Sequence, residues 1–276
     1  MLNVKEYVKP NKVEEAYEIG QMPNAFYVSG GLMVAQLKIS KVEHLIDLKS
    51  LGYEGIEDQG KEIKIGANTK ISALMSDKIL LLYGQPFRDA LKEIGSMQIR
   101  NMATVGGSIA FKLGWSDLTT IFMTLNSKVE FYDGSFRKES LEAYLVGNHK
   151  GAIITSLYVP KPSGFWAFEK FSKSTFDIAT LNLGIKIDIQ GKKIKDARIV
   201  VGSRPMISER QEEVENFLIG KELNQMIDKV GDQIEKIVKC GTDIRASAEY
   251  RKALSKALLT KAMRRVEDES RVNGQR

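Results

Sequence analysis

Gly95-Ser-Met-Gln-Ile-Arg-Asn-Met-Ala-Thr-Val-Gly-Gly-Ser-Ile-Ala110 is the stretch around which the rest of the chain makes sense. It leaves a helix expected over 86–94, crosses a polar turn at 98–101 and runs into Thr104-Val105-Gly106-Gly107-Ser108. Paired glycines take backbone angles closed to other residues and carry no side chain to hold a ligand off the main chain. Successive amide N–H groups in such a turn form a concave anion site, to which the hydroxyls of Thr104 and Ser108 would add donors. One glycine pair more often marks a plain tight turn. A second turn of the same kind changes the odds. Ala25-Phe-Tyr-Val28 has the pattern of a short strand, and it feeds Ser29-Gly30-Gly31 and then the apolar run Leu32-Met33-Val34-Ala35. Two such turns would clamp one diphosphate from two sides. Neither has the spaced-glycine dinucleotide fingerprint, and there is no Gly-Lys-Ser/Thr phosphate loop, so a dinucleotide bound here implies a fold other than the Rossmann fold.

Composition narrows the chemistry. A chain of 276 residues is long enough for two domains. Its balance of 43% hydrophobic and 28% charged residues is that of a soluble globular protein. No apolar run suffices to cross a bilayer and the first residues lack a signal peptide's apolar centre, so the expected location is cytoplasmic. A single cysteine, Cys240, excludes internal disulfides and an iron–sulfur cluster held by this chain. The two histidines, His44 and His149, lie far apart in sequence, which argues against a histidine metal centre or a catalytic triad. No catalytic side chain is therefore assigned, and the chemistry must come from a cofactor or a partner. The net charge of +6 is 41 basic against 35 interleaved acidic residues, without the one-sided patch expected of a nucleic-acid binder.

Along the chain, Asn11-Lys-Val-Glu14 has capping-box spacing and predicts a helix over 12–21. A strand over 25–28, a short helix through Leu37 and a strand over 45–48 complete a small α/β unit ending near residue 52. Alternation over 62–67 predicts a half-buried strand, with Thr69 capping a helix through Met75. A helix over 117–125, a strand over 128–132 turning at Asp133-Gly134, and a strand over 152–159 follow. Pro160-Lys-Pro-Ser-Gly164 is the expected domain boundary. Beyond it, strands around 165–171, 183–189 and 197–201 predict an antiparallel sheet, followed by helices over 208–219, 224–239 and 246–268. In the last helix Tyr250, Leu254, Ala257, Leu258, Ala262 and Val266 share one face, with Arg251, Lys252, Lys256, Arg264 and Arg265 mostly off it. Cys240, at a helix end, is expected to be an inert buried thiol.

In combination these pieces resemble the FAD-binding medium subunit of the molybdenum hydroxylases, the family of carbon monoxide, xanthine and archaeal aldehyde dehydrogenases. The resemblance rests on Val28-Ser-Gly-Gly31, Ile94-Gly-Ser-Met-Gln-Ile-Arg-Asn101 and Thr104-Val-Gly-Gly-Ser-Ile-Ala110. Ile65-Gly-Ala-Asn-Thr69 is similar to the segment that opens the family's second subdomain. Phe168-Glu-Lys170, Asp177-Ile-Ala179 and Arg245-Ala-Ser-Ala-Glu-Tyr-Arg251 resemble its C-terminal domain. The resemblance implies an α+β protein. Residues 1–162 would form a two-subdomain, vanillyl-alcohol-oxidase-like FAD-binding fold (subdomains about 1–52 and 53–162). Residues 163–276 would form an antiparallel sheet with helices. It further implies that Ser29, Gly30, Gly31, Thr104, Gly106, Gly107 and Ser108 hold the FAD diphosphate through backbone and hydroxyl donors. Leu32 would offer only its amide. Asp117 would meet sugar hydroxyls, Leu157 would lie near the flavin ring, and Lys170 would stand on the ring's side. Molybdopterin and 2Fe-2S clusters would reside in a large and a small partner subunit, making the chain part of a hetero-oligomeric oxidoreductase that relays electrons.

The chain departs from the family at Leu32-Met33, where a threonine or histidine and then a polar residue are usual, and at Phe111-Lys112, where small residues are usual. Two alternatives stay open, the first from these residues and the second from the fold class. One is a non-catalytic assembly subunit of the same fold that no longer holds FAD; the other is a stand-alone flavin reductase. Asp117 also suits a plain helix N-cap, and Trp115 plain packing.

Overall fold

The computed structural model describes residues 4–36 and 42–274. In chain order the first elements are β1 (Glu6–Val8), α1 (Val13–Gly20), β2 (Ala25–Val28), α2 (Leu32–Gln36) and β3 (His44–Asp47). Leu37, to which the second helix was expected to run, lies outside the described residues. Then come β4 (Ile56–Asp58), β5 (Glu62–Gly66), α3 (Ile71–Ser76), α4 (Gly84–Lys92), α5 (Met97–Met102), α6 (Val105–Ala110) and α7 (Asp117–Thr124). They are followed by β6 (Lys128–Tyr132), β7 (Phe136–Ser140), α8 (Leu141–Val146) and β8 (Ile153–Pro160). The remainder is β9 (Phe165–Phe171), β10 (Leu181–Gln190), β11 (Lys193–Gly202), β12 (Glu209–Arg210), α9 (Glu212–Leu218), α10 (Leu223–Ile237) and α11 (Ala248–Gly274).

These elements form two compact units. The first comprises Met1–Leu80, Ser96–Phe111 and Ser127–Pro160; the second comprises Leu81–Gly95, Lys112–Asn126 and Lys161–Arg276. A linear cut in the proline-rich stretch at 160–164 thus leaves two excursions of the first half, carrying α4 and α7, with the second unit.

The first unit has a parallel sheet ordered β1-β3-β2 and an antiparallel sheet ordered β4-β5-β8-β6-β7. Val13 and Ala16 of α1 are buried with Ile46 of β3 and Ile153 of β8. The central strand β8 is buried along nearly its whole length, as expected of a strand covered on both faces, and its Leu157 pairs in register with Ile65 and Val129. The hairpin β6–β7 turns at Gly134, whose φ of 102° suits glycine. Local structure differs from expectation at three points. Lys12, not Asn11, is the N-cap of α1 and makes no side-chain cap bond. Thr69 does not cap α3; its hydroxyl donates to the Gly55 carbonyl and accepts from the Gly55 amide. The stretch expected as a polar turn at 98–101 lies within α5, because Ser96 caps it by accepting from the Ile99 amide.

The second unit is built on an antiparallel sheet ordered β12-β11-β10-β9. Side chains alternate across its two faces. Leu181, Leu183, Ile185, Ile187, Ile199 and Val201 join Val214, Val230, Leu259, Met263 and Val266 of α9, α10 and α11 in one core. The opposite face meets the two excursions. Trp166 packs edge-on against Phe87 of α4 and donates to the Tyr83 carbonyl, while Gly184 lies directly against Thr124 of α7.

The last helix differs in detail from its sequence pattern. Leu254, Leu258, Ala262 and Val266 are buried as expected, and Leu259 and Met263 join them. Tyr250 and Ala257 are exposed, whereas Arg251 is buried. The buried stripe is broad because α11 packs on both α10 and the sheet. Arg251 tolerates burial because its guanidinium donates to the carbonyls of Thr180, Gly241 and Ala246 and to Asp243 Oδ1. The exposed bases of α11 are paired within the chain, Lys261 and Arg265 with Glu169, Lys256 with Asp232, and Arg264 with Asp228. Cys240 lies past the end of α10, half-buried, and burial pushes its thiol up. Among the described residues, no helix is long and apolar enough to cross a membrane.

Candidate functional site

In the first unit three separate segments converge where β2 ends. Ser29-Gly30-Gly31 turns the chain from β2 into α2, and Gly31 takes a φ of 78°. A Cβ added at Gly30 would land on the Met102 carbonyl oxygen and within 3.4 Å of the Ala103 Cα. Glycine is therefore required there by close approach to the end of α5. The amides of Gly30, Gly31 and Leu32 find no acceptor among the described residues, and all three residues are only partly buried. This is a short run of N–H groups, open within the described residues, of the type that receives an anion.

The second turn is built differently from the expectation that its amides form an anion cradle. Thr104 is the N-cap of α6, and its hydroxyl accepts from the Gly107 amide at 3.2 Å. The Val105 amide donates to the Thr69 carbonyl at 3.0 Å, and the Gly106 amide to the Ala67 carbonyl at 2.8 Å. Both the amide and the hydroxyl of Ser108 donate to the Thr104 carbonyl. All four amides from Val105 to Ser108 are thus used within the chain. The physical need for Gly106 is packing, since a Cβ there would sit 2.7 Å from the Ala67 Cβ. Thr104 and Gly106 are buried, and Gly107 and Ser108 are the members of this turn that reach the surface.

The third segment, 67–69, joins the two. Its Ala67 and Thr69 carbonyls hold the second turn, and the Asn68 side chain accepts from the Ser29 hydroxyl at 2.7 Å. Ser29 was expected to offer its hydroxyl to a phosphate; here that hydroxyl is directed to Asn68. The sequence reading missed this role of Asn68, though a buried polar residue between a strand and a helix was the available signal.

Phe111 and Leu32 do not close over the turns as one hydrophobic plug. Phe111 leans on Phe26, ring centroids 6.1 Å apart, and Leu32 stays partly exposed. Leu157 is fully buried in the core of the first unit, so its side chain presents no surface to a ligand in this structure.

Asp117 and Lys170 both lie in the second unit, and they meet each other. Lys170 Nζ is 2.8 Å from Asp117 Oδ2 and also donates to the Glu93 carbonyl at 2.7 Å. Asn182 Nδ2 donates to the other carboxylate oxygen at 2.5 Å, and its Oδ1 accepts from Thr120. Both charged side chains are almost completely buried. Burial pushes the Asp117 carboxyl above its ordinary value, opposed by Lys170 and Asn182. The helix is capped by Ser116, whose hydroxyl accepts from the Thr119 amide, so Asp117 is not the N-cap. Trp115 is partly exposed rather than packed away.

Residues 2–162 match the family described as the FAD binding domain in molybdopterin dehydrogenase. Residues 166–266 match the CO dehydrogenase flavoprotein C-terminal domain. The chain is 25% identical to the glyceraldehyde dehydrogenase medium chain of Sulfolobus acidocaldarius, over 94% of this chain and 97% of the relative. It is 26% identical to the carbon monoxide dehydrogenase medium chain of Afipia carboxidovorans, over 94% and 96% of the two chains. Among solved structures, a reconstituted CO dehydrogenase from Oligotropha carboxidovorans superimposes with a TM-score of 0.88 at 25% identity, covering 97% of this chain and 99% of that one. The second of the two turns found above lies inside the matched FAD-binding segment together with the first. By sequence, by fold and by the order of its two domains, the chain belongs to the FAD-binding medium subunits of the molybdenum hydroxylases, a family of oxidoreductase components.

Proposed function

We propose that this chain holds FAD by its diphosphate at the Gly30–Gly31–Leu32 turn and relays electrons from iron–sulfur clusters of a partner subunit to an acceptor. The observation that carries the reading is the set of N–H groups at this turn that find no acceptor among the described residues, beside Gly30 where no side chain fits. Such donors suit a doubly charged linker, and main-chain donors do not depend on the side chains at Leu32 and Met33. This favours cofactor binding over an assembly subunit that has lost it. FAD, when bound, supplies the electron chemistry, exchanging electrons singly or in pairs.

The protein's own residues bind and orient. Gly107 and Ser108 present the surface of the second turn, and Thr104 and Gly106 fix its position from within. Lys170 opposes the rise that burial imposes on the Asp117 carboxyl, and the pair ties α7 to β9 inside the second unit. The partners are a large molybdopterin subunit and a small iron–sulfur subunit, supported by the relatives being medium chains. The test is isolation of the native complex with molybdenum, iron and flavin analysis, beside Gly30→Val made in the chain alone. A yellow chain releasing FAD, a colourless Gly30→Val chain whose turn is pushed off the Met102 carbonyl, and a complex rich in molybdenum and iron are expected. A colourless wild-type chain without extractable FAD would overturn the proposal.

A further inference from the structure

We infer that Asn68 is a positioning residue for the diphosphate turn, acting through Ser29. The inference rests on the FAD reading above. Asn68 is buried, and its side-chain amide makes two hydrogen bonds with segments distant in sequence. Its Nδ2 donates to the Leu48 carbonyl at 2.7 Å and its Oδ1 accepts from Ser29 at 2.7 Å. The direction of this network follows from chemistry. A main-chain carbonyl only accepts, so the NH2 end of Asn68 must face Leu48. The oxygen end is then left for Ser29, whose hydroxyl must donate. The Ser29 proton is thereby committed inside the protein, and Ser29 serves the diphosphate by holding its own main chain in place.

Asn68 itself is anchored. Its amide donates to the Tyr53 carbonyl at 2.6 Å, and the neighbouring Ala67 and Thr69 carbonyls receive the amides of Gly106 and Val105. One three-residue segment therefore holds the second turn by its main chain and the first by its side chain. Together with the packing of Gly30 on Met102 and Ala103, Asn68 sets the gap between the two turns, and with it whether one linker can touch both. Without that bond, Gly30 and Gly31 lose a restraint immediately before the exposed amides. The cost of ordering them then falls on the binding step.

The test is a thermodynamic cycle on the full-length chain with Ser29→Ala, Asn68→Leu and the double variant. FAD is stripped and titrated back by flavin fluorescence, and the diphosphate of bound FAD is followed by phosphorus NMR. Loss of one neutral hydrogen bond predicts roughly 3- to 10-fold weaker FAD binding for each single variant. The double variant should bind no more weakly than Asn68→Leu alone, and the phosphorus resonances should shift in all three. Ser29→Ala removes no core atom, so it keeps the test intact if Asn68→Leu folds poorly. Additive losses would show that Ser29 donates to FAD directly and overturn the inference. Unchanged affinity and phosphorus shifts, with only a lowered melting temperature, would reduce Asn68 to a structural role and overturn it too. A wild-type chain that takes up no FAD sinks the parent reading and this one together; a wild type that binds beside an unaffected Ser29→Ala sinks this one alone.

Discussion

Replacing Lys170 with methionine removes one member of a buried ion pair and leaves the other stranded. In the native chain the two side chains are only 4% and 6% exposed, and their charged atoms are 2.8 Å apart. Deleting one partner of such a pair costs about 3–5 kcal/mol, because the remaining charge is neither hydrated nor neutralised. Asn182 stays in place and donates one hydrogen bond to Asp117, which puts the expected loss toward the lower end of that range. The loss must also depend on pH. Burial already raises the Asp117 carboxyl, and Lys170 is the chief group opposing that rise, so the variant's folded value climbs further. A carboxyl whose folded value exceeds its unfolded one favours folding most below the unfolded value, where both states are protonated, and loses that contribution as pH rises through the folded value. Lys170→Met should therefore be least impaired near pH 4 and progressively worse toward neutrality. Urea unfolding followed by tryptophan fluorescence is the suitable assay, since Trp115 and Trp166 both lie in the second unit. Adding Asp117→Asn should recover most of the loss, because it removes the charge that was stranded. A destabilisation under about 1 kcal/mol at neutral pH, or one that does not change with pH, would refute the assignment of a buried, charged pair.

Other consequences are more local. Gly106→Ala places a methyl 2.7 Å from the Ala67 Cβ and should destabilise the first unit by about 1–3 kcal/mol, read as a lower denaturation midpoint. Burial alone would raise the Asp243 carboxyl, but Arg251 and the amides of Arg245 and Ala246 hold it below its ordinary 3.8. A depressed carboxyl contributes stability above its unfolded value and loses it as pH falls through the folded one. The native chain should weaken below about pH 4, and Asp243→Asn should flatten that acid limb of the stability profile. In FAD binding, Gly30→Val should be far more damaging than any change at Leu32, whose expected contribution is its main chain; titration of the apo chain with FAD measures both.

How much of this molecule its sequence discloses depends on the range of the interaction. Glycine pairs, alternating apolar residues and an Asp133-Gly134 turn are local signals. They located β2 and β9 to the residue, and the β6–β7 hairpin. They also carried the family, because its motifs are short strings in a set order. Local signals failed where a cap or a turn had competing solutions, as at Thr69, which bonds to Gly55 fourteen positions away rather than capping its own helix. They failed again on α11, whose buried stripe is decided by what packs on it.

The amino-acid order, then, was sufficient for β2 and the glycine turn that follows it, which rest on backbone freedom and periodicity within a few residues, and, through the resemblance carried by its short ordered motifs, for the class of fold and the kind of cofactor. It was silent on which turn keeps its amides open and which one uses them internally. It was equally silent on the pairing of Asp117 with Lys170, 53 positions apart, and of Ser29 with Asn68, 39 apart. A donor's choice of acceptor is settled only when the chain has folded and water has been excluded, since until then every N–H and hydroxyl has a solvent partner of nearly equal worth.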